Sequence, residues 1–342
     1  MAFDDDIQMK YKEMLANYIQ ELTEQALYEG QRFSWKAIEH KIPPEEIINI
    51  HLKVLKELFP DIPKKILDSF DFLLEVMVGY GLAYQEHQFL RGRQLELKSE
   101  IEIAANVQQA LLQTNIPKVE ELDIGVISVP AKIMNGDYYQ FAEHENTMSV
   151  AIADVIGKGI PAALCISMIK YAMDSLLESR QNPSYILENL NRVVEQNIDV
   201  NMFITMFFGK YDFRTNKITY ASAGHEPGFY YCASEDHFYD LQSKGLVLGV
   251  DRQVKYEQYE LNLFQNDMII LLSDGVTETR TKEGFIDRAA VTSAIRAHLH
   301  LPAQQIVENI YKDFEKMQGF QLRDDFTLII MKKMFKRLRK RV

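Results

Sequence analysis

The chain is short of cysteine, of positive charge and of long apolar runs. Its 342 residues include two cysteines, Cys165 and Cys232. They have neither the spacing of a metal-binding pair nor the number that a disulfide framework needs, which argues against a cross-linked secreted scaffold and suits packing residues in a reducing compartment. No apolar run approaches the roughly 20 residues that span a bilayer, and the opening Met-Ala-Phe-Asp-Asp-Asp is acidic where a secretion signal is basic. The expectation is a cytoplasmic protein with no membrane span. Lys and Arg number 38 against 49 Asp and Glu, a net charge of −11, which disfavours a nucleic-acid partner. The stretch from Lys332 to Arg341 is the densely basic exception and reads as a solvated tail. Internal repeats and low-complexity tracts are absent.

An apolar fraction of 47% supplies ample core, and a chain of this length is expected to form two domains. Residues 1–84 carry apolar positions at helical spacing, as in Tyr11, Met14, Leu15, Tyr18, Ile19 and Leu22, with breaks at Pro43-Pro44 and from Pro60 to Pro63. A small all-α bundle follows from that pattern. From Tyr84 to Leu112 there is no proline, and Leu90, Leu97, Ile101, Ala104 and Leu111 follow a four-three spacing. This predicts a linker helix within 85–116 whose seam is buried either by a second copy, giving a homodimer, or by the chain's own domains. After Pro117 the period changes to two, or to short apolar blocks, over 123–129, 147–153, 203–213, 218–223, 229–231, 256–263, 268–272 and 327–331. Helical patterns interrupt these at 161–177, 183–196, 288–298 and 303–317. The fold class is therefore α+β: a helical front end, then packed sheets over 117–333 with helices outside them, then a basic tail at 334–342.

A set of aspartates stands where apolar runs stop. They are Asp137 after Gly136, Asp154 in Ala153-Asp154-Val155-Ile156-Gly157-Lys158-Gly159, Asp274 in Ser273-Asp274-Gly275, and Asp324-Asp325 before Phe326-Thr327. An aspartate before glycine after a strand is, taken alone, a common turn residue. Carboxylates scattered in sequence and gathered at strand ends are also how a fold assembles hard oxygen ligands for divalent cations. Gly157 and Gly159 permit a tight turn in which main-chain carbonyls face such an ion. His225 has two readings, a general acid or a histidine that positions a turn. Lys158, between two glycines, either meets a phosphate or faces solvent.

In order and near spacing, Gly136-Asp137-Tyr138-Tyr139, the Asp154 segment, Ser222-Ala223-Gly224-His225-Glu226-Pro227, Ser273-Asp274-Gly275-Val276-Thr277-Glu278 and Asp324-Asp325-Phe326-Thr327-Leu328 resemble the SpoIIE-type bacterial branch of the PPM/PP2C serine/threonine phosphatases. The resemblance covers about residues 100–333. The front end, with Tyr18-Ile19-Gln20-Glu21-Leu22-Thr23-Glu24, Ile42-Pro43-Pro44-Glu45-Glu46-Ile47-Ile48 and Val78-Gly79-Tyr80-Gly81-Leu82-Ala83-Tyr84, is similar to the RsbU family within that branch. This resemblance implies a PPM/PP2C-like β-sandwich flanked by helices and a cofactor of Mn²⁺ or Mg²⁺, two ions in number. By matching motifs, Asp154 bridges the ions with the Val155 carbonyl as a further ligand of one. Asp274 and Asp324 hold the other, Asp324 being preferred over Asp325, and Asp137 acts near the second metal through water. The implied substrate is a phosphorylated, RsbV-like anti-sigma-factor antagonist. The implied activator is an RsbT-like switch kinase bound by the helical domain, the output being the sigma-B general stress response. The phosphate-binding arginine of eukaryotic members has no match upstream of Asp137. Two competing readings are a non-catalytic phosphoprotein scaffold, against which stands the retention of every acidic motif position, and a small-molecule phosphohydrolase, against which stands the helical front end.

Overall fold

The computed structural model describes residues 2–40, 42–157, 159–177, 182–198, 202–242, 244–281, 284–320 and 322–335. Lys158 and residues 336–342 of the basic tail lie outside the described residues. The chain divides into two compact units, Met1–Ser99 and Glu100–Val342.

The first unit holds helices α1 (Ala2–Gln20), α2 (Glu24–Glu39) and α3 (Pro44–Leu58) and the start of α4 (Lys64–Leu112). Thr23 caps α2, its hydroxyl accepting from the Ala26 amide at 3.4 Å, and Pro44 opens α3 at a position where the missing N–H costs nothing. The interior is small. Ala37, Ile50, Leu52 and Val54 are buried, and Tyr11 stacks edge-on to Phe33 while its hydroxyl meets His51 Nδ1 at 3.1 Å. Helix α4 passes through residue 84 without a break, because nothing between Pro63 and Pro117 interrupts helical hydrogen bonding. Its exposed face carries Phe72, Tyr80, Leu82, Tyr84, Phe89, Leu95 and Leu97.

The second unit is a two-sheet sandwich. One sheet has the order β1 (Leu122–Val129), β12 (Phe326–Lys333), β9 (Met268–Leu272), β6 (Phe229–Cys232), β7 (His237–Asp240); the other runs β2 (Asp137–His144), β3 (Thr147–Ile156), β4 (Phe203–Asp212), β5 (Lys217–Ala223), β8 (Tyr259–Asn262). All pairings are antiparallel. A two-stranded ribbon, β10 (Arg280–Thr281) with β11 (Gly284–Phe285), stands apart. Between the sheets lie Phe141, Val150, Ile152, Phe207, Ile269, Leu271 and Ile329. Outside the second sheet α5 (Ile160–Leu177) and α6 (Pro183–Asn197) cover Ala151, Ala153 and Met206. Outside the first, α8 (Arg288–Ala297) and α9 (Ala303–Met317) cover Ile270, Leu328 and Ile330. Helix α5 is the one helix among the described residues apolar and long enough, by composition, to cross a bilayer; Ala162, Ile166, Ile169 and Met173 bury its inner face in the core.

Candidate active site

Strand alternation builds the site. Side chains two apart share a face, so each strand that supplies apolar residues to the inter-sheet core also decides what lies at its end. At one end of the sandwich the next inward residue is polar on six strands, β1, β2, β3, β4, β9 and β12: Val126 is followed by Ser128, Ile152 by Asp154, Leu271 by Ser273, while Tyr139, Phe207 and Ile329 are preceded by Asp137, Thr205 and Thr327. Asp137 lies opposite Asp154 in the β2–β3 register, and Asp154 opposite Thr205 in β3–β4. Asp274 opens the four-residue helix α7 (Asp274–Thr277) directly after Ser273.

Asp154, Val155, Asp274, Asp324 and Asp325 line one cavity of about 220 Å³, with Gly136, Gly157, Lys132 and Arg323. Asp137 lies beneath it, 2% exposed, and its Oδ2 has no hydrogen-bond partner among the described residues. Gly136 leaves the space into which these groups point. A Cβ there would stand 3.9 Å from both Asp154 Oδ1 and the Val155 carbonyl oxygen, and 2.9 Å from Asp325 Oδ2. Gly275 is as constrained, since a Cβ on it would meet the Asp325 carbonyl at 2.2 Å.

Asp325 has a different task from its neighbour. Its Oδ1 accepts from the Ala131 amide at 2.7 Å and its Oδ2 from the Gly136 amide, so it holds both ends of the loop that joins β1 to β2. Gln108 grips the same loop from helix α4, donating to the Asn135 carbonyl at 2.9 Å and accepting from the Asn135 amide at 3.2 Å. Asn135 in turn accepts from the Asp137 amide at 3.0 Å and donates to Ser128 Oγ at 3.2 Å. Asp324 accepts from the Asp325 amide at 3.0 Å.

The carboxylates repel one another. Burial, and after it the charge of Asp154, pushes the Asp137 carboxyl well above the usual carboxylate range, with hydrogen bonds from Ser273 and Thr327 opposing the rise. Burial and then the charge of Asp324 push Asp274 up to about 6. Among the described residues no three His, Cys, Asp or Glu side chains form a closed metal cage. What the fold offers instead is two carboxylate pairs, Asp137 with Asp154 and Asp274 with Asp324, plus a main-chain carbonyl. Such open, hard-oxygen donors fit Mg²⁺ or Mn²⁺, which keep several water ligands, and divalent charge would relieve the repulsion.

His225 is 3% exposed and does not line the cavity; burial lowers its pKa to about 4, so it is neutral. That placement removes it as a general acid facing substrate. The turn that carries it is tied down by Arg288, which donates to Glu226 at 2.7 Å and to Asp240 at 2.7 Å while lying 4.1 Å from the Phe229 ring centre. The motif reading did not identify Ser128, Asn135, Thr205, Lys132 or Arg323. For Ser128 and Thr205, which stand at strand ends in the polar row, the available signal was parity with the apolar core positions; for the loop residues Asn135, Lys132 and Arg323 there was none.

A family model described as Stage II sporulation protein E (SpoIIE) matches residues 144–333, and one described as the N-terminal domain of phosphoserine phosphatase RsbU matches residues 9–83. The chain is 59% identical over 333 residues to the phosphoserine phosphatase RsbU of Bacillus subtilis (strain 168), covering 97% of this chain and 99% of that one. It is 27% identical over 290 residues to protein IcfG of Synechocystis, covering 74% of this chain and 45% of the relative. Among solved structures, the SiaA-PP2C domain of Pseudomonas aeruginosa matches 72% of this chain and 98% of its own with a TM-score of 0.62 at 20% identity. The PP2C phosphatase domain with a regulatory fragment of SpoIIE from Bacillus subtilis matches 63% and 64%, with a TM-score of 0.54 at 18% identity. These two likenesses establish the PP2C fold. PP2C-type phosphatases use Mn²⁺ or Mg²⁺. From identity along nearly its whole length, joined to that fold, the chain belongs to the RsbU family of phosphoserine phosphatases, within the SpoIIE-type branch of the PP2C enzymes.

Proposed function

We propose that the protein removes phosphate from a serine of an RsbV-like anti-sigma-factor antagonist in the cytoplasm, and that an RsbT-like switch kinase, bound by the helical domain, turns this activity on to start the sigma-B stress response. The observation that carries the site reading is the convergence of Asp154, the Val155 carbonyl, Asp274 and Asp324 on one cavity, with Asp137 buried beneath it. In this reading Asp154 and the Val155 carbonyl would hold one of two Mn²⁺ or Mg²⁺ ions, Asp154 would also serve the second together with Asp274 and Asp324, and Asp137 would act through water. When bound, the ions supply an activated water and charge compensation for the phosphoryl oxygens.

The chain's own residues do the rest. Gly136 leaves room for close approach of the phosphoryl group. Asp325 and Gln108 hold the 130–136 loop so that Asp137 keeps its place opposite Asp154. Asp137, whose carboxyl is disposed to retain a proton, has a buried Oδ2 to orient a water. The helical domain spans 1–84, the linker 85–116, the phosphatase domain 117–333 and the tail 334–342. The exposed apolar residues of α4, among them Phe72, Tyr80, Tyr84, Phe89 and Leu97, support docking of the partner kinase and of a second copy as a homodimer.

The test is phosphate release from phosphorylated RsbV-like antagonist by the full chain, with and without an RsbT-like partner, in Mn²⁺. Turnover that rises with partner supports the reading. Turnover indifferent to the partner would remove the regulatory half of it, and binding of the phosphorylated antagonist without turnover would favour the scaffold reading.

A further inference from the structure

His225 and Thr205 take no part in the chemistry above, yet they form a buried polar chain against its central carboxylate. Thr205 Oγ1 lies 2.9 Å from His225 Nδ1 and 3.4 Å from the backbone carbonyl oxygen of Asp154. The carbonyl can only accept, so the hydroxyl hydrogen goes to it, and Nδ1 must carry the imidazole proton and donate to the hydroxyl. The ring's other nitrogen, Nε2, has no hydrogen-bond partner among the described residues. The chain therefore has one direction, from Nδ1–H to Oγ1–H to Asp154 O. The His225 amide is itself fixed by donation to Ser222 Oγ at 3.3 Å.

What this chain grips is the peptide between Asp154 and Val155. Its oxygen accepts from Thr205, and its N–H, on Val155, donates to the Gly136 carbonyl at 3.1 Å. Both faces of one peptide are thereby pinned. That peptide's plane sets the direction from which the Asp154 carboxylate departs and where the next carbonyl, that of Val155, points. Both groups converge on the space beside Gly136.

We propose that His225 is a positioning residue for the metal-binding edge, acting through Thr205 on the Asp154–Val155 peptide. The inference rests on the reading of Asp154 and Val155 as metal ligands. Partners of ligands in this position typically change metal affinity or activity by about 10- to 100-fold when removed.

The experiment is Mn²⁺ binding to the full chain, read from the electron paramagnetic resonance signal of free Mn²⁺, without reference to turnover. Thr205→Val keeps the β-branched shape and deletes the hydroxyl, His225→Leu deletes the donor, and His225→Asn keeps a donor near the Nδ1 position. We expect Thr205→Val and His225→Leu to weaken Mn²⁺ binding by about 10-fold or more. His225→Asn should recover most of the affinity, and the double variant should be no weaker than the worse single one, since both changes cut the same chain. Folded Thr205→Val binding Mn²⁺ as tightly as wild type would overturn the proposal, and this variant decides the matter if His225→Leu does not fold. Wild-type protein that binds no Mn²⁺ at any concentration would overturn the ligand reading itself, and the positioning role with it.

Discussion

A neutral, fully buried histidine makes the sheet unit acid-labile in a calculable way. Burial holds His225 at a pKa of about 4 in the fold, against 6.5 for an unhindered imidazole. Below pH 6.5 the unfolded chain takes up a proton that the folded chain refuses, so stability falls as pH drops through the interval and no further penalty accrues below about 4. The full shift corresponds to about 3 kcal/mol, of which about 2 kcal/mol is lost between pH 7 and pH 5. The perturbation is His225→Asn, which removes the titrating group. Trp35, the sole tryptophan, belongs to the helical unit, so its fluorescence is the wrong probe. Native-state hydrogen exchange at the β3 and β4 amides reports the right region. The stability of wild type relative to His225→Asn should fall by about 2 kcal/mol from pH 7 to pH 5. A difference that stays constant across that range would refute the reasoning.

Two further substitutions separate scaffold from ligand. Asp325→Asn places an amide N–H₂ against one of two backbone donors, Ala131 or Gly136, leaving a part-buried donor unpaired at a cost of about 1–3 kcal/mol; faster exchange of those two amides and a lower turnover number are expected, and unchanged exchange would contradict the anchoring role. Asp274→Asn removes a charge that its surroundings disfavour, so metal-free protein at pH 7 should gain about 1 kcal/mol, after allowance for partial exposure, in thermal or urea unfolding. The same variant should lose the stabilisation of about 2.7 kcal/mol that Mn²⁺ at 100 times its dissociation constant gives wild type, and an Mn²⁺ response equal to wild type would exclude Asp274 as a ligand.

Much of the fold and of the site is legible in the sequence. The change of period near Pro117 separates helical from sheet sequence because the two structures bury every third-or-fourth and every second residue respectively. The carboxylates at strand ends stand out because each interrupts an apolar run. Strands β2, β7, β10 and β11 were not foreseen: the last three, two to four residues long, are too short to carry a periodic signal, and β2 has the polar Gln140, Glu143 and His144 set among its aromatic residues. β8 occupies only 259–262 of the stretch 256–263 that reads as a strand. The separate tasks of Asp324 and Asp325 are invisible in a pair of identical adjacent residues. The loop that Asp325 holds is 189 to 194 residues away in sequence, and only folding brings it there. The polar row of Ser128, Thr205, Ser273 and Thr327 was hidden for a subtler reason: hydroxyl residues are ordinary in strands, and their meaning emerges once the inward face of each strand is known.

The most direct test of the central claim is phosphate release from a phosphoserine-bearing protein substrate by wild type and Asp154→Asn, in Mn²⁺ and in EDTA, with circular dichroism to verify the fold. The account predicts turnover that EDTA abolishes and that Asp154→Asn lacks almost completely while remaining folded. Substantial turnover by folded Asp154→Asn, or turnover undiminished in EDTA, would contradict it.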